Sequence, residues 1–131
     1  MREILFRGKD FSGVLNNSWI FGSLDTTEKE NPSIIYIDRF GNRCRIFVAH
    51  KTIGQYINLT DKNGKKIFEG DIVKYKNSSP CQIAYIDSQF VMMWKNFYRN
   101  FERVYDDEIE VIGNIHDNPE LLEVENDRHT I

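Results

Sequence analysis

Residues 61–76 run Asp-Lys-Asn-Gly-Lys-Lys-Ile-Phe-Glu-Gly-Asp-Ile-Val-Lys-Tyr-Lys, and they carry the strongest secondary-structure signal in the chain. The Asn-Gly pair at 63–64 is the pair that a type I′ turn prefers, because both residues tolerate a positive φ angle. Gly70 permits a bend, and beyond it Val73 and Tyr75 alternate with two lysines. Such alternation is typical of a half-buried strand. The stretch therefore predicts a tight turn that leads into a β-strand.

Short β-type segments make up most of the remaining sequence. Gly and Asn separate runs rich in Ile, Val, Tyr, Phe and Trp, and the runs are too short for a helical period to develop. In one of them Cys44, Ile46 and Val48 share a face, and Arg43 and Arg45 lie on the opposite face. The strands predicted outside the first stretch lie near Glu3–Gly8, Ser18–Leu24, Ser33–Asp38, Arg43–Ala49, Cys81–Ile86, Phe90–Lys95 and Glu108–Ile115.

The sequence pattern predicts only two helices. Residues 96–106 place aromatic and apolar side chains at helical spacing, which predicts one helix there. The run Asn118-Pro119-Glu120 supplies an N-cap, a proline at the first helical position and an acid in the first turn, which predicts a short second helix. We therefore predict an all-β fold with minor helix. An N-terminal β subdomain spans residues 1–58, and an SH3-like β-barrel subdomain spans residues 59–131 and ends in the short helix and an acidic tail; together they form one unit.

Charge is distributed unevenly along the 131 residues. Residues 1–101 carry 15 Lys and Arg against 10 Asp and Glu, a net charge of +5, whereas residues 102–131 carry 2 against 10, a net charge of -8. The two sum to the net charge of -3. The N-terminus does not fit a signal peptide, and no run approaches the roughly 18 apolar residues of a membrane span. We expect a soluble protein of the cytoplasm, without a membrane partner.

Reactive clusters are not evident in the sequence. It contains neither a Gly-rich phosphate loop nor a nucleophile elbow. Cys44 and Cys81 have no second cysteine or histidine at ligand spacing, and His116 beside Asp117 points to the opposite face of an extended chain. The acids at 106–108 form a run that is usually a solvated turn. We therefore expect no catalytic residues, no metal site and no cofactor, and a protein that is not an enzyme.

Four segments together resemble the YopX family. Gln-Tyr-Ile-Asn-Leu at 55–59 leads to Asp-Lys-Asn-Gly at 61–64 and Glu-Gly-Asp at 69–71, as in the central signature of that family. Residues 110–122 are similar to its closing signature, and residues 2–7 and 19–24 are similar to its start. The resemblance implies a mostly β fold found in phages, prophages and related mobile elements, and it implies no activity. Asn58 stands where the family commonly has Gly, and Asn is the next best residue for a positive φ.

Two classes of binding function remain open. As a phage-type accessory protein, the chain is expected to act as a protein-interaction module for an unknown partner, with aromatic residues as an anchor or as a face for homo-oligomers. These aromatic residues are Phe97, Tyr98, Phe101 and Tyr105. The alternative is weak nucleic-acid binding through a basic patch with an aromatic platform, although a pI near 5.6 disfavours a dedicated binder. An acidic tail that masks this patch is a third hypothesis. The patch comprises Lys62, Lys65, Lys66, Lys74, Tyr75 and Lys76.

Overall fold

Short antiparallel strands build the protein over residues 2–28 and 30–123, which are the residues that the computed structural model describes. The chain divides into two compact units, Met1–Tyr56 and Ile57–Ile131. The predicted all-β fold class is confirmed. The described strands are β1 Phe6–Lys9, β2 Trp19–Asp25, β3 Ser33–Ile37, β4 Arg43–Phe47, β5 Gly54–Thr60, β6 Lys66–Phe68, β7 Asp71–Tyr75, β8 Cys81–Ile86, β9 Gln89–Met93, β10 Tyr98–Arg99 and β11 Ile109–Asn114.

The first unit is a curled antiparallel sheet in the strand order β4-β3-β2-β1. A bridge between Asp10 and Val48 ties the end of β4 back to the end of β1. The curl brings backbones close together at Gly22, where an added Cβ would lie 2.2 Å from the carbonyl oxygen of Ile35. A side chain does not fit at that point. The buried core of this unit comprises Ile20, Ile34, Ile46 and Val48.

The second unit contains a sheet in the strand order β10-β9-β8-β7-β11. Strand β7 is an interior strand of this sheet, because it pairs with β8 on one side and with the edge strand β11 on the other. A bulge between Val111 and Gly113 shifts the β11 register. Strand β5 enters this unit and forms a hairpin with β6. The buried core comprises Ile57, Ile67, Val73, Tyr75, Cys81, Ile83, Met92 and Ile109.

Asp61 organises the turn between β5 and β6. Its side chain is buried at 2% exposure, and Oδ1 accepts hydrogen bonds from the backbone N–H groups of Asn63 and Lys65, both at 2.9 Å. Gly64 adopts a φ of 77°, but Asn63 does not have a positive φ, so the predicted type I′ turn, which needs a positive φ at both residues, is wrong. The turn instead closes when the N–H of Gly64 donates to the carbonyl oxygen of Asp61 at 3.0 Å. The other carboxylate oxygen, Oδ2, accepts the N–H of Val111 at 3.0 Å, fifty residues along the chain. One side chain therefore holds the turn and fastens it to β11.

Other signature residues also hold backbone in place. Asp71 is 1% exposed, and its Oδ2 accepts the N–H of Phe68 at 2.8 Å across the bend. Asn118 accepts the N–H of Asn114 through Oδ1 at 3.2 Å, which fixes the turn after β11. Asn58 has a φ of 66°, so the residue that replaces the usual Gly does adopt the left-handed conformation. These signature residues therefore stabilise turns and bends of the backbone.

The helix predicted over residues 96–106 is wrong. The segment instead contains the short strand β10, two turns, and the start of a 3₁₀ helix over Asp106–Glu108. The N–H of Trp94 donates to the carbonyl oxygen of Phe97, which closes a tight hairpin and leaves no room for a helical start. Phe101 packs against the core, whereas Phe97 and Tyr105 are exposed. The helical spacing of these residues therefore does not correspond to one buried face.

Further expectations concern the C-terminal end of the chain, the boundary between the two units and the SH3-like assignment. Residues 120–123 are helical where the short C-terminal helix was predicted, and the acidic tail beyond 123 lies outside the described residues. The chain divides between Tyr56 and Ile57, close to the predicted boundary between residues 58 and 59, and both positions fall within β5. The SH3-like assignment of the second unit stays a prediction.

Candidate functional site

The five lysines of the predicted basic patch are all exposed, and they lie on two elements of the second unit. Lys62, Lys65 and Lys66 belong to the β5–β6 hairpin, and Lys74 and Lys76 lie on β7 or directly after it. Strand β11 lies between the two groups. It pairs with β7, and its Ile109 carbonyl oxygen accepts the N–H of the hairpin residue Lys62 at 2.9 Å.

Carboxylates of the intervening segment interrupt this basic surface. Glu110 Oε1 lies 3.4 Å from Lys62 Nζ, and Glu110 also stands opposite Lys74 in the strand register. Glu108 Oε2 lies 2.7 Å from Lys76 Nζ. The hydrogen bond that Lys76 donates to the Glu108 carboxylate raises the pKa of Lys76 and lowers the pKa of Glu108. The surface is a strip of alternating charge, so its field on a phosphate backbone is weaker than five lysines alone would give.

Tyr75 does not provide the aromatic platform that the basic-patch hypothesis requires. Its side chain is 7% exposed and belongs to the core of the second unit. The guanidinium carbon of Arg99 and Nζ of Lys76 lie 5.2 Å and 5.3 Å from the ring centroid. A base cannot stack on a ring that is buried and flanked in this way. The basic-patch hypothesis is therefore wrong in its assignment of Tyr75 as an aromatic platform.

Three of the four aromatic residues proposed as an anchor are exposed. Phe97 is 62% exposed, Tyr98 45% and Tyr105 67%, whereas Phe101 packs against the core. Phe97 stacks on Trp94 with the ring centroids 4.9 Å apart and the planes 10° from parallel. The stacked pair lies in a groove of about 760 Å³, here called the Trp94–Phe97 groove, between the β7–β8 loop, the β9–β10 turn and Leu122 of the C-terminal helical residues.

A second exposed surface lies in the first unit, and the binding hypotheses did not include it. Strands β3 and β4 pair so that Ile35 stands opposite Arg45 and Ile37 opposite Arg43. These four side chains and Phe47 share one side of the sheet, here called the β3–β4 face. Ile37 is 64% exposed and Phe47 42% exposed. The alternation of arginines and Phe47 along β4 was the sequence signal for this face.

Arg45 is held in place on the β3–β4 face. Its Nη2 lies 3.0 Å from Asp25 Oδ2, and its Nε donates to Ser33 Oγ at 2.9 Å. Its guanidinium carbon lies 6.0 Å from the centroid of the Phe47 ring. Arg43 is exposed on the same side. The face therefore combines a fixed arginine, an exposed arginine and apolar side chains.

The two thiols differ in their surroundings. Cys81 is fully buried, and burial raises its pKa to about 12. Cys44 is partly exposed, and its Sγ lies 3.7 Å from Asp38 Oδ2. Over residues 2–28 and 30–123, His, Cys, Asp and Glu side chains nowhere form a group of three that could hold a metal ion. Within that same range, none of the helices is long and apolar enough to cross a membrane.

The family pattern described as YopX protein matches residues 6–123. The chain belongs to the YopX family. Among solved structures, the crystal structure of protein EF1440 from Enterococcus faecalis is similar, with 27% sequence identity and a TM-score of 0.57. The similarity covers 93% of this chain and 99% of that chain. No curated protein matches the sequence. The YopX signatures at 54–73 and 110–122 supply turns and the β7–β11 pair, whereas the β3–β4 face lies outside them.

Proposed function

We propose that this YopX-family chain is an accessory protein of a phage or prophage that acts in the host cytoplasm by binding a protein partner, without catalysis. The observation that carries the proposal is the β3–β4 face, where Ile37 and Phe47 are exposed beside Arg43 and Arg45. The phage or prophage origin rests on what the family resemblance implies, and the host cytoplasm is the compartment expected for a protein of that origin.

The composition of the β3–β4 face supports a protein partner. Protein interfaces are enriched in aromatic residues and arginine, and truncation of a few such residues removes most of the binding energy. Arg45 is already fixed by Asp25 and Ser33, so less side-chain entropy is lost when a partner contacts it. Arg43 makes no hydrogen bond or ion pair of that kind among the described residues, although, behind the hydrogen bonds from Thr27, its charge helps to lower the pKa of Asp25. It supplies a charge that complements an acidic group on the partner.

The experiment combines purification of a partner with a matched pair of variants. The tagged full chain is expressed in its host, co-purifying proteins are identified, and each candidate is prepared separately for calorimetric titration. The face variant carries Arg43→Glu and Phe47→Ala. The control carries Arg39→Glu and Phe40→Ala, because it makes the same charge reversal and aromatic truncation at two exposed residues of the β3–β4 turn, where Arg39 lies 4.9 Å from the Phe40 ring.

We expect at least one purified partner to bind the wild-type chain and to bind the face variant about tenfold more weakly, as for loss of an interface anchor. The control should bind within about twofold of wild type. If no purified candidate binds, or if both variants bind equally well, the proposal is wrong. Binding of labelled DNA or RNA that falls steeply with salt would instead favour the nucleic-acid alternative, which has weaker support because Glu108 and Glu110 lie among the lysines.

A further inference from the structure

The Trp94–Phe97 groove in the second unit is a concave surface apart from the β3–β4 face. We propose that it takes an extended, uncharged peptide segment with proline or another apolar residue against Phe97. The groove has a volume of about 760 Å³, within the range of ligand sites. It does not share residues with the β3–β4 face, so this inference stands independently of the proposed function.

Trp94 and Phe97 form a rigid aromatic floor. The indole Nε1–H of Trp94 donates to the carbonyl oxygen of Ser79 at 2.9 Å, which fixes the ring against the β7–β8 loop. The backbone N–H of Trp94 donates to the carbonyl oxygen of Phe97, which fixes the turn that carries both rings. Phe97 stacks on this fixed ring and is 62% exposed. A ligand therefore meets a flat apolar surface that is already in place before binding.

Amide side chains line the groove around this floor. Asn77, Gln82 and Asn96 contribute to the lining, and in the described part of the chain the structure gives their side-chain amides no hydrogen-bond partner. The NH₂ group of an amide side chain can donate to the backbone carbonyl oxygens of an extended ligand, which proline keeps although it has no backbone N–H. A polyproline II segment has no internal backbone hydrogen bonds, and its preformed conformation loses little entropy on binding to an aromatic groove. The lining therefore matches the backbone and side chains of such a segment.

The charge of the lining disfavours a nucleotide as the occupant. Lys95 is the charged residue of the described lining, and it is exposed. Phosphate sites in proteins use arginine forks, several cations or rows of backbone N–H groups. A nucleobase could stack on Phe97, but among the described lining residues Lys95 alone would supply a charge for its phosphates. A neutral peptide needs no charged partner, which is the better match.

Trp94 provides the assay. The chain contains two tryptophans, so Trp19→Phe leaves Trp94 as the reporter of the groove. In this background the full chain is titrated with a blocked octaproline peptide, a Gly-Ser peptide of the same length, and AMP. We expect a saturable change of Trp94 emission with octaproline and none with the other two. Anisotropy of a fluorescein-labelled octaproline gives the affinity independently of the tryptophan.

Phe97→Ala should weaken octaproline binding about tenfold, because the exposed ring supplies the packing surface. The matched control is Tyr85→Ala, since Tyr85 is 54% exposed on β8 and does not line the groove. Its affinity should stay within about twofold of wild type. Circular dichroism confirms that each variant is folded. Equal responses to both peptides, a response to AMP alone, equal loss in both variants, or no response to octaproline would each overturn the inference.

Discussion

Asp61→Asn is the substitution that most directly tests how the second unit is held together. In the wild-type chain one carboxylate oxygen accepts hydrogen bonds from the N–H groups of Asn63 and Lys65, and the other accepts one from the N–H of Val111. Asparagine keeps one oxygen for the turn. Its NH₂ group then faces the N–H of Val111. Both groups are hydrogen-bond donors, so the bond that Val111 N–H makes to the Asp61 carboxylate cannot form.

The expected loss is a substantial part of the stability of a small domain. A hydrogen bond to a charged group contributes about 1.5–3 kcal/mol, and a buried donor without a partner costs about 1–3 kcal/mol. The bond to Val111 is lost and the two turn bonds lose their charge. We therefore expect Asp61→Asn to lower the free energy of unfolding by about 3 kcal/mol, compared with about 5–15 kcal/mol in total for a typical domain.

The loss should depend on pH in a defined direction. Burial raises the pKa of Asp61, but the N–H donors of Val111, Lys65 and Asn63 together outweigh it and hold the pKa below its ordinary value. A carboxyl whose pKa is lowered by folding stabilises the folded state above its unfolded pKa, about 3.9 for Asp. That contribution is lost as the pH falls through the folded pKa. The difference between wild type and Asp61→Asn should therefore be constant near neutral pH and shrink below about pH 4.

Urea unfolding followed by far-UV circular dichroism measures both effects. Trp94 emission in the Trp19→Phe background reports the second unit separately. The matched control is Asp38→Asn, because Asp38 also accepts backbone N–H groups two and four residues ahead, at Phe40 and Asn42, but these bonds are exposed. We expect it to cost less than about 1 kcal/mol. A loss below about 1 kcal/mol for Asp61→Asn, or a difference that persists unchanged at about pH 3, would refute the reasoning.

Two further predictions concern single residues. Under native conditions a thiol reagent such as DTNB should label Cys44 and leave Cys81 unlabelled, because burial raises the pKa of Cys81 to about 12; release of two equivalents of thiolate before unfolding would contradict this. Asn58→Val should lower the urea midpoint and cost about 1–2 kcal/mol, because a β-branched residue is strained at a φ of 66°, whereas Asn58→Gly should change the stability by less than about 1 kcal/mol. Equal midpoints for the two Asn58 variants would show that the left-handed conformation is unimportant.

Local patterns were sufficient to predict much of the fold. The Asn-Gly pair located the turn at Gly64, although not its type, because Asn63 does not have a positive φ; alternation located β4 and β7. The sequence could not reveal that Asp61 also binds Val111, because no local pattern links residues fifty positions apart. The failed helix at 96–106 has the same origin. Its aromatic spacing was compatible with a helix, but the hairpin bond between Trp94 and Phe97 sets a different backbone.

The candidate surfaces were only partly predictable. Alternation along β7 already placed Tyr75 on the same side as Val73, opposite Lys74, so its burial follows from the strand pattern. The pairing of Lys62 with Glu110 depends on which strands become neighbours, and sequence alone does not give that order. The β3–β4 face was visible as a row of arginines and Phe47 on β4. Its exposure beside Ile37 required the register of β3 and β4.

The position of β11 in the sheet has a consequence for how the chain is made. Ile109 pairs with Tyr75, and Val111 with Val73, so the outer neighbour of β7 leaves the ribosome more than thirty residues after β7 itself. Until then β7 is an uncovered edge with free backbone groups, and the Asp61 carboxylate lacks one of its donors. Such non-local pairing slows folding. Incomplete nascent chains therefore expose an unpaired strand edge, which can aggregate or bind chaperones and is open to proteases.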